Sequence, residues 1–433
     1  MKGLTKILLG SAAALAGLSS VATAQMPMSA PALLSPADTA GIDAFYQINQ
    51  NRPLWLGSDA SRAAIPDLLA ALKRAPVEGL AAGPALAANA EAAMAAAGSG
   101  DPAAVRQADR ALSTAWVAYA QLLQRPVEGI EYADPLLRPR VLTAAQLLGQ
   151  AAAAPSLRDH VARVSAVNPF YSALRDAALR AGGTPDPRVM GSMDRARMLP
   201  AAGKAVIVDV PSARLMMVQD GNVVDSMKVV VGKLETPTPM MVSRLWYATL
   251  NPYWHVPDNL ASSLIAKNML KMGPPYLKLH GYEVLTGFDP DAPAVDPTSI
   301  DWQAVFDGKA KVHVREKPSL QNSMGKMKFP FNNSWGIYLH DTPNKVPFTQ
   351  AKRDISNGCI RLEDARRLGK WLSGRDLSAS GPEPEQHVQL PQGVPIYVTY
   401  LTAQPDPKGF AYMPDPYGKD VALPARVASA GQN

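Results

Sequence analysis

The stretch Ala205-Val206-Ile207-Val208-Asp209-Val210 is a run of β-branched and small apolar residues, and it sets the pattern for the second half of the chain. Similar runs follow at 214–219 and 223–231, separated by Asp220-Gly221, and a fourth lies at 245–250. Such runs predict strands, and Asp-Gly between two of them is a tight-turn signal. Because no helices intervene, we predict a hairpin sheet rather than alternating βα units.

Residues 25–182 have a different composition, rich in alanine, leucine and charged helix formers. Asp101-Pro102 has the form of an N-cap followed by proline at the first helical position. Apolar residues then recur at steps of three and four, as on one face of an amphipathic helix: Val105, Ala108, Leu112, Ala115, Tyr119 and Leu122. Asn168-Pro169 starts a similar helix that ends at Gly182-Gly183. With shorter helices predicted near 36–50, 61–75, 83–98 and 141–165, we expect an α-helical scaffold domain over 25–182.

Glycine, proline and aspartate are concentrated in 183–203, which predicts a linker between the two regions. A mainly-β domain is then expected over 204–401, and 402–433 is predicted to be an extended tail, partly disordered at its end. The predicted fold class is therefore α+β, with a helical domain preceding a mainly-β domain.

Residues 254–335 interrupt the β pattern with a predicted helix at 257–272 and loops rich in proline and aspartate. An interruption of this length predicts an insertion, such as a cap over a site, rather than a plain loop. After it we predict a strand leading into His340, a helix over 363–372 and a closing strand over 394–401.

Residues 1–24 have the features of an export signal: Lys2 and Lys6, a short apolar run, and the small-residue cleavage site Ala22-Thr23-Ala24. No later stretch reaches the roughly 18 apolar residues of a membrane-spanning helix, so we expect an exported, periplasmic protein without a membrane span. Removal of the two lysines lowers the net charge from +6 to +4. Because no Lys/Arg cluster is interleaved with aromatic residues, nucleic acid is not an expected partner.

Cys359 is the only cysteine of the chain, so it cannot form an intramolecular disulfide. It lies in Ser356-Asn357-Gly358-Cys359-Ile360-Arg361, 19 residues after His340. An unpaired cysteine in an exported protein indicates a free thiol, and a histidine supplies a base for it. The alternative is a small buried hydrophobic residue, which is a common environment for free cysteine.

The neighbouring residues have the chemistry that a thiol nucleophile requires. A thiol pKa near 8.5 leaves only a few per cent as thiolate at neutral pH, so a nearby imidazole raises the reactive fraction. Asp341 is expected to orient His340 through its backbone carbonyl or its carboxylate. Gly358 permits a sharp turn, and amides at Gly358 and Cys359, with the Tyr338 hydroxyl, are candidates for stabilising an oxyanion.

Two arginines, Arg353 and Arg361, lie on either side of the motif. Either is a candidate for binding a substrate carboxylate in a bidentate contact, and the alternative is a salt bridge that fixes a loop. Ser356 and Asn357 are further candidates for the oxyanion or substrate-binding site, and Ser356 is expected to form loop hydrogen bonds rather than to act as a nucleophile. The remaining histidines show no short ligand spacing, so we expect no metal and no cofactor.

Two stretches resemble the active-site signature of YkuD-type L,D-transpeptidases: Tyr338-Leu339-His340-Asp341-Thr342-Pro343, and Ser356 to Arg361. Phe348 and Arg353 also match this signature. Other stretches resemble the large, scaffold-bearing (YcbB-like) branch of that family: Val229-Val230-Val231-Gly232-Lys233, Thr236-Pro237-Thr238-Pro239, Asn251-Pro252-Tyr253-Trp254-His255-Val256-Pro257, Asn322-Ser323-Met324-Gly325, Met327-Lys328-Phe329, Asp415-Pro416-Tyr417-Gly418-Lys419-Asp420, Phe45-Tyr46 and Arg52-Pro53-Leu54-Trp55.

The resemblance implies a YkuD-like catalytic domain and a cysteine acyltransferase that acts on peptidoglycan stem peptides. In that family the cysteine attacks the bond between a diamino acid and the terminal D-alanine of a tetrapeptide, and an amine of a second stem resolves the thioester. By motif position, Cys359 is the nucleophile, His340 the base and Asp341 its orienting residue. Tyr338, Gly358 and Cys359 line the oxyanion site, Arg361 shapes the pocket, and carbapenems are expected to acylate the thiol.

Asn357 departs from the commoner family motif, which has histidine at this position. No peptidoglycan-binding module is evident in the helical region. Two other functions remain open: an L,D-carboxypeptidase, in which water resolves the acyl-enzyme, and a non-catalytic envelope scaffold. A papain-like protease is disfavoured because its cysteine precedes its histidine along the chain. The sequence defines neither the acceptor amine nor the oligomeric state.

Overall fold

The structure is a computed structural model that describes residues 34–183, 186–289 and 291–420. The predicted export signal and the end of the predicted tail lie outside these residues. Within the described ranges, no helix is long and apolar enough to cross a membrane.

The first half of the described chain is helical, as the sequence predicts. Its helices are α1 (Pro36–Ile48), α2 (Asp59–Arg62), α3 (Ile65–Arg74), α4 (Gly83–Ala97), α5 (Pro102–Gln124), α6 (Ala144–Ala153), α7 (Leu157–Ala166), α8 (Pro169–Arg180) and α9 (Pro187–Ala196). Both predicted N-caps are present, because Asp101 accepts from the Ala104 amide at 2.9 Å and Asn168 from the Tyr171 amide at 2.9 Å. The region 141–165 is two helices, since Ser156 caps a new helix.

The helical core is built around fully buried aromatic residues that include Trp55 and Trp116. The buried Asp109 carboxylate accepts hydrogen bonds from three successive amides, those of Leu54, Trp55 and Leu56, at 2.7–2.8 Å. A buried carboxylate is tolerated only when it is hydrogen-bonded in this way, and here it fixes the loop that carries Trp55 into the core.

The second half is mainly β, and one short strand of its sheet, β1 (Glu131–Tyr132), comes from the helical region. The other strands of this sheet are β2 (Lys204–Asp209), β3 (Arg214–Gln219), β4 (Asn222–Gly232), β5 (Met241–Leu250), β9 (Met327–Pro330), β10 (Tyr338–His340), β11 (Asp354–Ser356), β12 (Ile360–Leu362) and β13 (Gln386–Thr399). The sheet order is β1-β5-β13-β2-β3-β4-β12-β10-β9, and β5 also pairs with β9, so the sheet closes on itself around an apolar core. The predicted hairpins β2–β3–β4 are antiparallel neighbours.

The predicted linker at 183–203 differs from the structure, because α9 (Pro187–Ala196) lies within it. Asp186 caps this helix, and Val189 and Met193 of its apolar face are buried in the helical core. Local glycine and proline indicated a break in the pattern, but an amphipathic helix of this length still has an apolar face to bury.

The predicted extended tail is also folded as far as residue 420. Residues of the tail form the hairpin β14 (Ala403–Asp406) and β15 (Gly409–Tyr412). Beyond it, Asp420 forms a buried ion pair with Arg195 at 2.7 Å and accepts a hydrogen bond from the Thr402 hydroxyl. The tail therefore joins the helical region to the sheet.

The predicted insertion is a separate layer with its own apolar core. It contains β6 (Trp254–His255), α10 (Asp258–Leu260), a π-helical turn (Ala261–Ala266), α11 (Lys267–Met272), α12 (Pro275–Leu279), β7 (Tyr282–Leu285), α13 (Trp302–Phe306) and β8 (His313–Glu316). Its end is earlier than the predicted residue 335, because β9 pairs with β10 and β5 in the main sheet. The helix α14 (Ala365–Ser373) follows β12, as predicted.

Candidate active site

The site lies where the parallel strands β10 and β12 pair, with Leu339 opposite Ile360 and His340 opposite Arg361. Side chains alternate between the two faces of a strand. Leu339 and Ile360 are fully buried in the core, so Tyr338, His340, Cys359 and Arg361 share the opposite face. Strand register therefore brings together residues that are 19 or more positions apart in the two motifs.

The Cys359 thiol is partly exposed and donates to the Gly336 carbonyl at an Sγ···O distance of 3.7 Å. Burial raises the pKa of this thiol, and the Tyr338 backbone N–H, the Tyr338 hydroxyl and the Arg361 charge act in the opposite direction. Hydrogen bonds to a thiolate stabilise it and burial destabilises it, so the resting group is a neutral thiol surrounded by groups that stabilise its anion.

His340 is 3% exposed, and its Nδ1 lies 2.6 Å from the Asp341 carbonyl oxygen. A carbonyl only accepts, so Nδ1 carries the proton and Nε2 keeps the lone pair that a base requires. Burial, followed by the positive charge of Arg361, lowers the pKa of His340 to about 4. The imidazole is therefore neutral at pH 7. Within the described residues, no hydrogen bond joins His340 directly to Cys359.

The Asp341 carboxylate is directed away from the imidazole. It pairs with Lys345 at 2.8 Å and accepts from the Lys326 amide at 3.0 Å. A Cβ at Gly325, which has a φ of +61°, would lie 2.4 Å from Asp341 Oδ2, so glycine is required for this approach. Of the two predicted ways to orient His340, the structure uses the Asp341 carbonyl, and the carboxylate fixes the backbone that presents it.

Ser356 holds the turn before Cys359. Its buried hydroxyl donates to the Cys359 carbonyl at 2.7 Å and accepts from the Gly358 amide at 3.1 Å. The Gly358 amide thus already donates to Ser356 Oγ, and this bond would have to break before the amide could take the predicted oxyanion role. Its φ of +114° confirms that glycine is needed for the turn. Ser356 forms loop hydrogen bonds, as predicted.

Asn357 is exposed, and its side chain forms no hydrogen bond within the described part of the chain. The predicted contribution of Asn357 to substrate or oxyanion binding has no contact here to support it. The backbone around Cys359 is fixed by Ser356 instead.

The two arginines have different environments. Arg353 directs its donors at five backbone carbonyls, those of Ser212, Ala213, Val229, Gln350 and Ala351, at 2.8–3.2 Å. These bonds fix a loop, which favours the loop-fixing alternative for Arg353, although its partners are carbonyls rather than the carboxylates of a salt bridge. Arg361 is half-buried, its charge acts on both His340 and Cys359, and within the described ranges it has neither an ion pair nor a hydrogen bond.

The insertion reaches the site through Trp254. Tyr338 packs against the insertion's apolar core, and the Trp254 side chain hydrogen-bonds to the Tyr338 hydroxyl. Burial and the neighbouring Cys359 raise the pKa of Tyr338 well above its usual value, so the hydroxyl keeps its proton. It can therefore donate to a negative charge beside the sulfur.

Three residues that the sequence did not single out also hold the site. Thr238 is fully buried, and its hydroxyl accepts from the Gly232 amide at 2.8 Å and donates to the Gly358 carbonyl at 2.6 Å. Tyr417 accepts from the Thr238 amide at 3.1 Å and donates to the Gly232 carbonyl at 2.5 Å. Glu131 holds the loop before β10. Thr238 and Tyr417 belong to quoted motifs, but nothing local indicated their role.

Metal ligands are not gathered anywhere in the part of the chain that the structure describes: no three His, Cys, Asp or Glu side chains lie together in a group that could bind an ion. The chemistry that this arrangement supports is nucleophilic attack by sulfur, with an imidazole as proton acceptor.

Residues 203–398 match the L,D-transpeptidase catalytic domain family (YkuD), and residues 40–177 match the scaffold domain family. A Haemophilus influenzae protein, provisionally assigned as an L,D-transpeptidase, is 31% identical over 233 residues, which are 52% of this chain and 46% of that protein. The match thus spans about half the length of the curated relative.

Solved structures of L,D-transpeptidases overlap with about half of the chain. The enzyme from Mycobacterium smegmatis is 16% identical, with 46% of this chain and 59% of that chain covered and a TM-score of 0.24. L,D-Transpeptidase 3 from Mycobacterium tuberculosis is 13% identical, with 45% and 60% covered and a TM-score of 0.22. Scores this low carry no weight here, and the α+β fold rests on the helices and the closed sheet described above.

Proposed function

The chain contains an L,D-transpeptidase catalytic domain of the YkuD family behind an N-terminal scaffold domain, and we propose that it cross-links peptidoglycan stem peptides through a cysteine acyl-enzyme. One observation carries the proposal: the single thiol lies on the same sheet face as a neutral, buried imidazole and a buried tyrosine hydroxyl. Export to the periplasm, where this substrate occurs, is part of the proposal and rests on the predicted signal at 1–24.

In the proposed reaction, Cys359 Sγ attacks the carbonyl carbon between the diamino acid and the terminal D-alanine of a tetrapeptide stem. His340 Nε2 takes the thiol proton and then delivers it to the D-alanine nitrogen as the C–N bond breaks. A thioester remains on Cys359. An amine of a second stem attacks it, which forms a new amide and restores the thiol.

Groups beside the sulfur stabilise the charge that develops. The Tyr338 hydroxyl and backbone N–H already act on a negative charge at Cys359, so the oxyanion is placed beside them in place of the Gly358 amide. Arg361 has no carboxylate partner within the described residues, which supports a role in binding a carboxylate of the stem. Such pairing would also relieve the repulsion between Arg361 and a protonated His340.

The insertion is proposed to cover the donor stem, because Trp254 and its apolar core contact Tyr338 beside the nucleophile. An insertion over the thiol would exclude water and favour an amine acceptor over hydrolysis. Replacement of residues 254–325 by a short loop is then expected to increase the fraction of hydrolysed product relative to cross-linked product. An unchanged ratio would count against the covering role.

The function is tested by mass spectrometry of purified tetrapeptide muropeptides after incubation with the mature protein, with Cys359→Ala as the matched control. Cross-linked dimers that lack one D-alanine, and that are absent with the variant, are the expected products, and fragmentation identifies the acceptor amine. Tripeptide monomers alone would indicate an L,D-carboxypeptidase. No cleavage at all would favour the non-catalytic scaffold. Acylation of the protein by a carbapenem, lost in Cys359→Ala, is expected in the same experiment.

A further inference from the structure

The loop between β9 and β10, residues 331–337, is braced from within by the Asn333 side chain. Asn333 donates to the Phe331 and Ile337 carbonyls at 2.9 and 2.8 Å, and its Oδ1 accepts from the Trp335 and Ile337 amides at 3.0 and 2.9 Å. Although the loop is braced, the Trp335 side chain on it is 65% exposed. Because its backbone is fixed, this large apolar ring stays in solvent, where it buries no surface in the core. The ring is therefore available to contact a ligand.

The same loop contacts the nucleophile. The Gly336 carbonyl, directly after Trp335, accepts from the Cys359 thiol at 3.7 Å. Ile337 Cδ1 lies 2.9 Å from the position that a Cβ on Gly358 would occupy. Trp335 is therefore attached to the segment that lines one side of the thiol, and a substrate approaching the sulfur passes this segment.

The helical region fixes this loop from outside the catalytic domain. The Glu131 carboxylate accepts from the Ser334 amide at 2.8 Å and from the Ser334 hydroxyl at 3.0 Å. The Glu131 backbone is itself anchored, because its amide donates to the Met240 carbonyl at 3.2 Å and β1 pairs in parallel with β5. Nearby, Asp134 forms an ion pair with Arg244 at 2.7 Å. Glu131 thus connects the region between α5 and α6 to the residue preceding Trp335.

We propose that Trp335 is a donor-binding residue that stacks on the stem peptide beside the scissile bond, and that Glu131 is a positioning residue that holds Trp335 in place through Ser334. This inference rests on the proposed function. An indole face offers an apolar surface to the aliphatic portion of an extended peptide, and a preformed surface binds without a further ordering cost. The scaffold domain thereby contributes to donor recognition without itself contacting the substrate.

Binding is separated from chemistry by measuring it in the Cys359→Ala background, by calorimetry with a synthetic tetrapeptide stem that ends in diamino acid–D-alanine. Trp335→Ala is expected to weaken the affinity about tenfold, the scale of one aromatic contact. Glu131→Gln is expected to weaken it about threefold because the loop is then held less firmly. In the active protein, both changes are expected to raise the donor KM more than they lower kcat.

Two matched controls are available on the same surfaces. Glu128→Gln changes an exposed carboxylate three residues away, and Trp246→Ala removes another exposed indole on the sheet, one that stacks on Arg244. Neither is expected to change stem affinity. Trp335→Phe, which keeps a ring, is expected to recover most of the affinity that Trp335→Ala loses, and this recovery excludes general unfolding as the cause.

A double variant tests whether Glu131 acts through Trp335. If it does, Glu131→Gln has no further effect once Trp335 is alanine, whereas independent effects would add. Stem binding by Cys359→Ala that is unchanged by Trp335→Ala would overturn this inference and leave the proposed function intact. Absence of any stem binding by Cys359→Ala would overturn both.

Discussion

The Thr238 hydroxyl donates to the Gly358 carbonyl at 2.6 Å, 120 residues along the chain, while it accepts from the Gly232 amide at 2.8 Å. One buried side chain thus joins the end of β4 to the residue that precedes Cys359. The position of Cys359 depends on this contact as well as on the β10–β12 pairing, because Gly358 has a backbone conformation that only its surroundings hold in place.

We expect Thr238→Val to reduce both stability and activity. The change keeps the shape but leaves a buried amide and a buried carbonyl without a partner, at a cost of about 1–3 kcal/mol each. Cross-linking activity is expected to fall about tenfold or more, because misplacing a reacting atom by a fraction of an ångström is costly. Thermal unfolding and the muropeptide assay measure the two effects. Thr349→Val, at an exposed hydroxyl bonded within its own turn, is the control and is expected to be neutral.

Tyr417→Phe tests whether the C-terminal segment positions the nucleophile. The change removes one hydroxyl that bonds both ends of the Gly232–Thr238 turn, so we expect a lower kcat with little change in donor KM. Tyr247→Phe is the control, because its hydroxyl forms no hydrogen bond within the described residues and its ring packs edge-to-face against His387. A reduction in stability with unchanged kcat per folded molecule would contradict the positioning role.

The pH profile of thiol alkylation reports the electrostatics of the site. Since burial raises the pKa of Cys359, alkylation by iodoacetamide is expected to keep increasing with pH beyond the usual thiol pKa near 8.5. The pKa of His340, lowered to about 4, places the acid limb of activity near pH 4 rather than near 6.5. An acid limb close to 6.5 would show that the imidazole is not buried as described.

The same shift in His340 predicts how stability depends on pH. The folded state binds a proton at His340 less readily than the unfolded state does, so this contribution is fully present above the unfolded pKa of about 6.5 and is lost as pH falls towards 4. Chemical denaturation between pH 7 and 4 is expected to show a smaller loss of stability for His340→Asn than for the unmodified protein.

Substitutions of Arg353 and Arg361 are expected to affect different properties, the first stability and the second the pH dependence of the site. Arg353→Gln removes most of the bonds to five carbonyls and is expected to lower the melting temperature. Arg361→Gln removes a charge that lowers the pKa of both Cys359 and His340, so alkylation at a fixed pH slows and the acid limb moves upward. Arg366→Gln, at an exposed arginine, is the control for both. If Arg361→Gln leaves the pH profile unchanged, Arg361 does not act on the thiol and the imidazole.

Local sequence determined most of the helices and strands, but it indicated neither α9 in the predicted linker nor the β14–β15 hairpin in the predicted tail. The N-caps at Asp101 and Asn168 and the hairpins on either side of Asp220-Gly221 depend on contacts within a few residues, so their patterns are visible in the sequence. The motifs around His340 and Cys359 likewise led to the proposal that these two residues are the base and the nucleophile.

Only the tertiary structure decided which polar groups serve the site. The sequence offers no way to distinguish Arg353 from Arg361. In the structure the Arg353 guanidinium donates to carbonyls up to 141 residues away, and the Arg361 guanidinium has no such partner within the described residues. The same holds for Glu131, Thr238 and Tyr417, each of which has a hydrogen-bond partner 120 or more residues away along the chain. A hydrogen bond depends on positions in space, and over such separations those positions are set by sheet closure and domain packing, which no local pattern encodes.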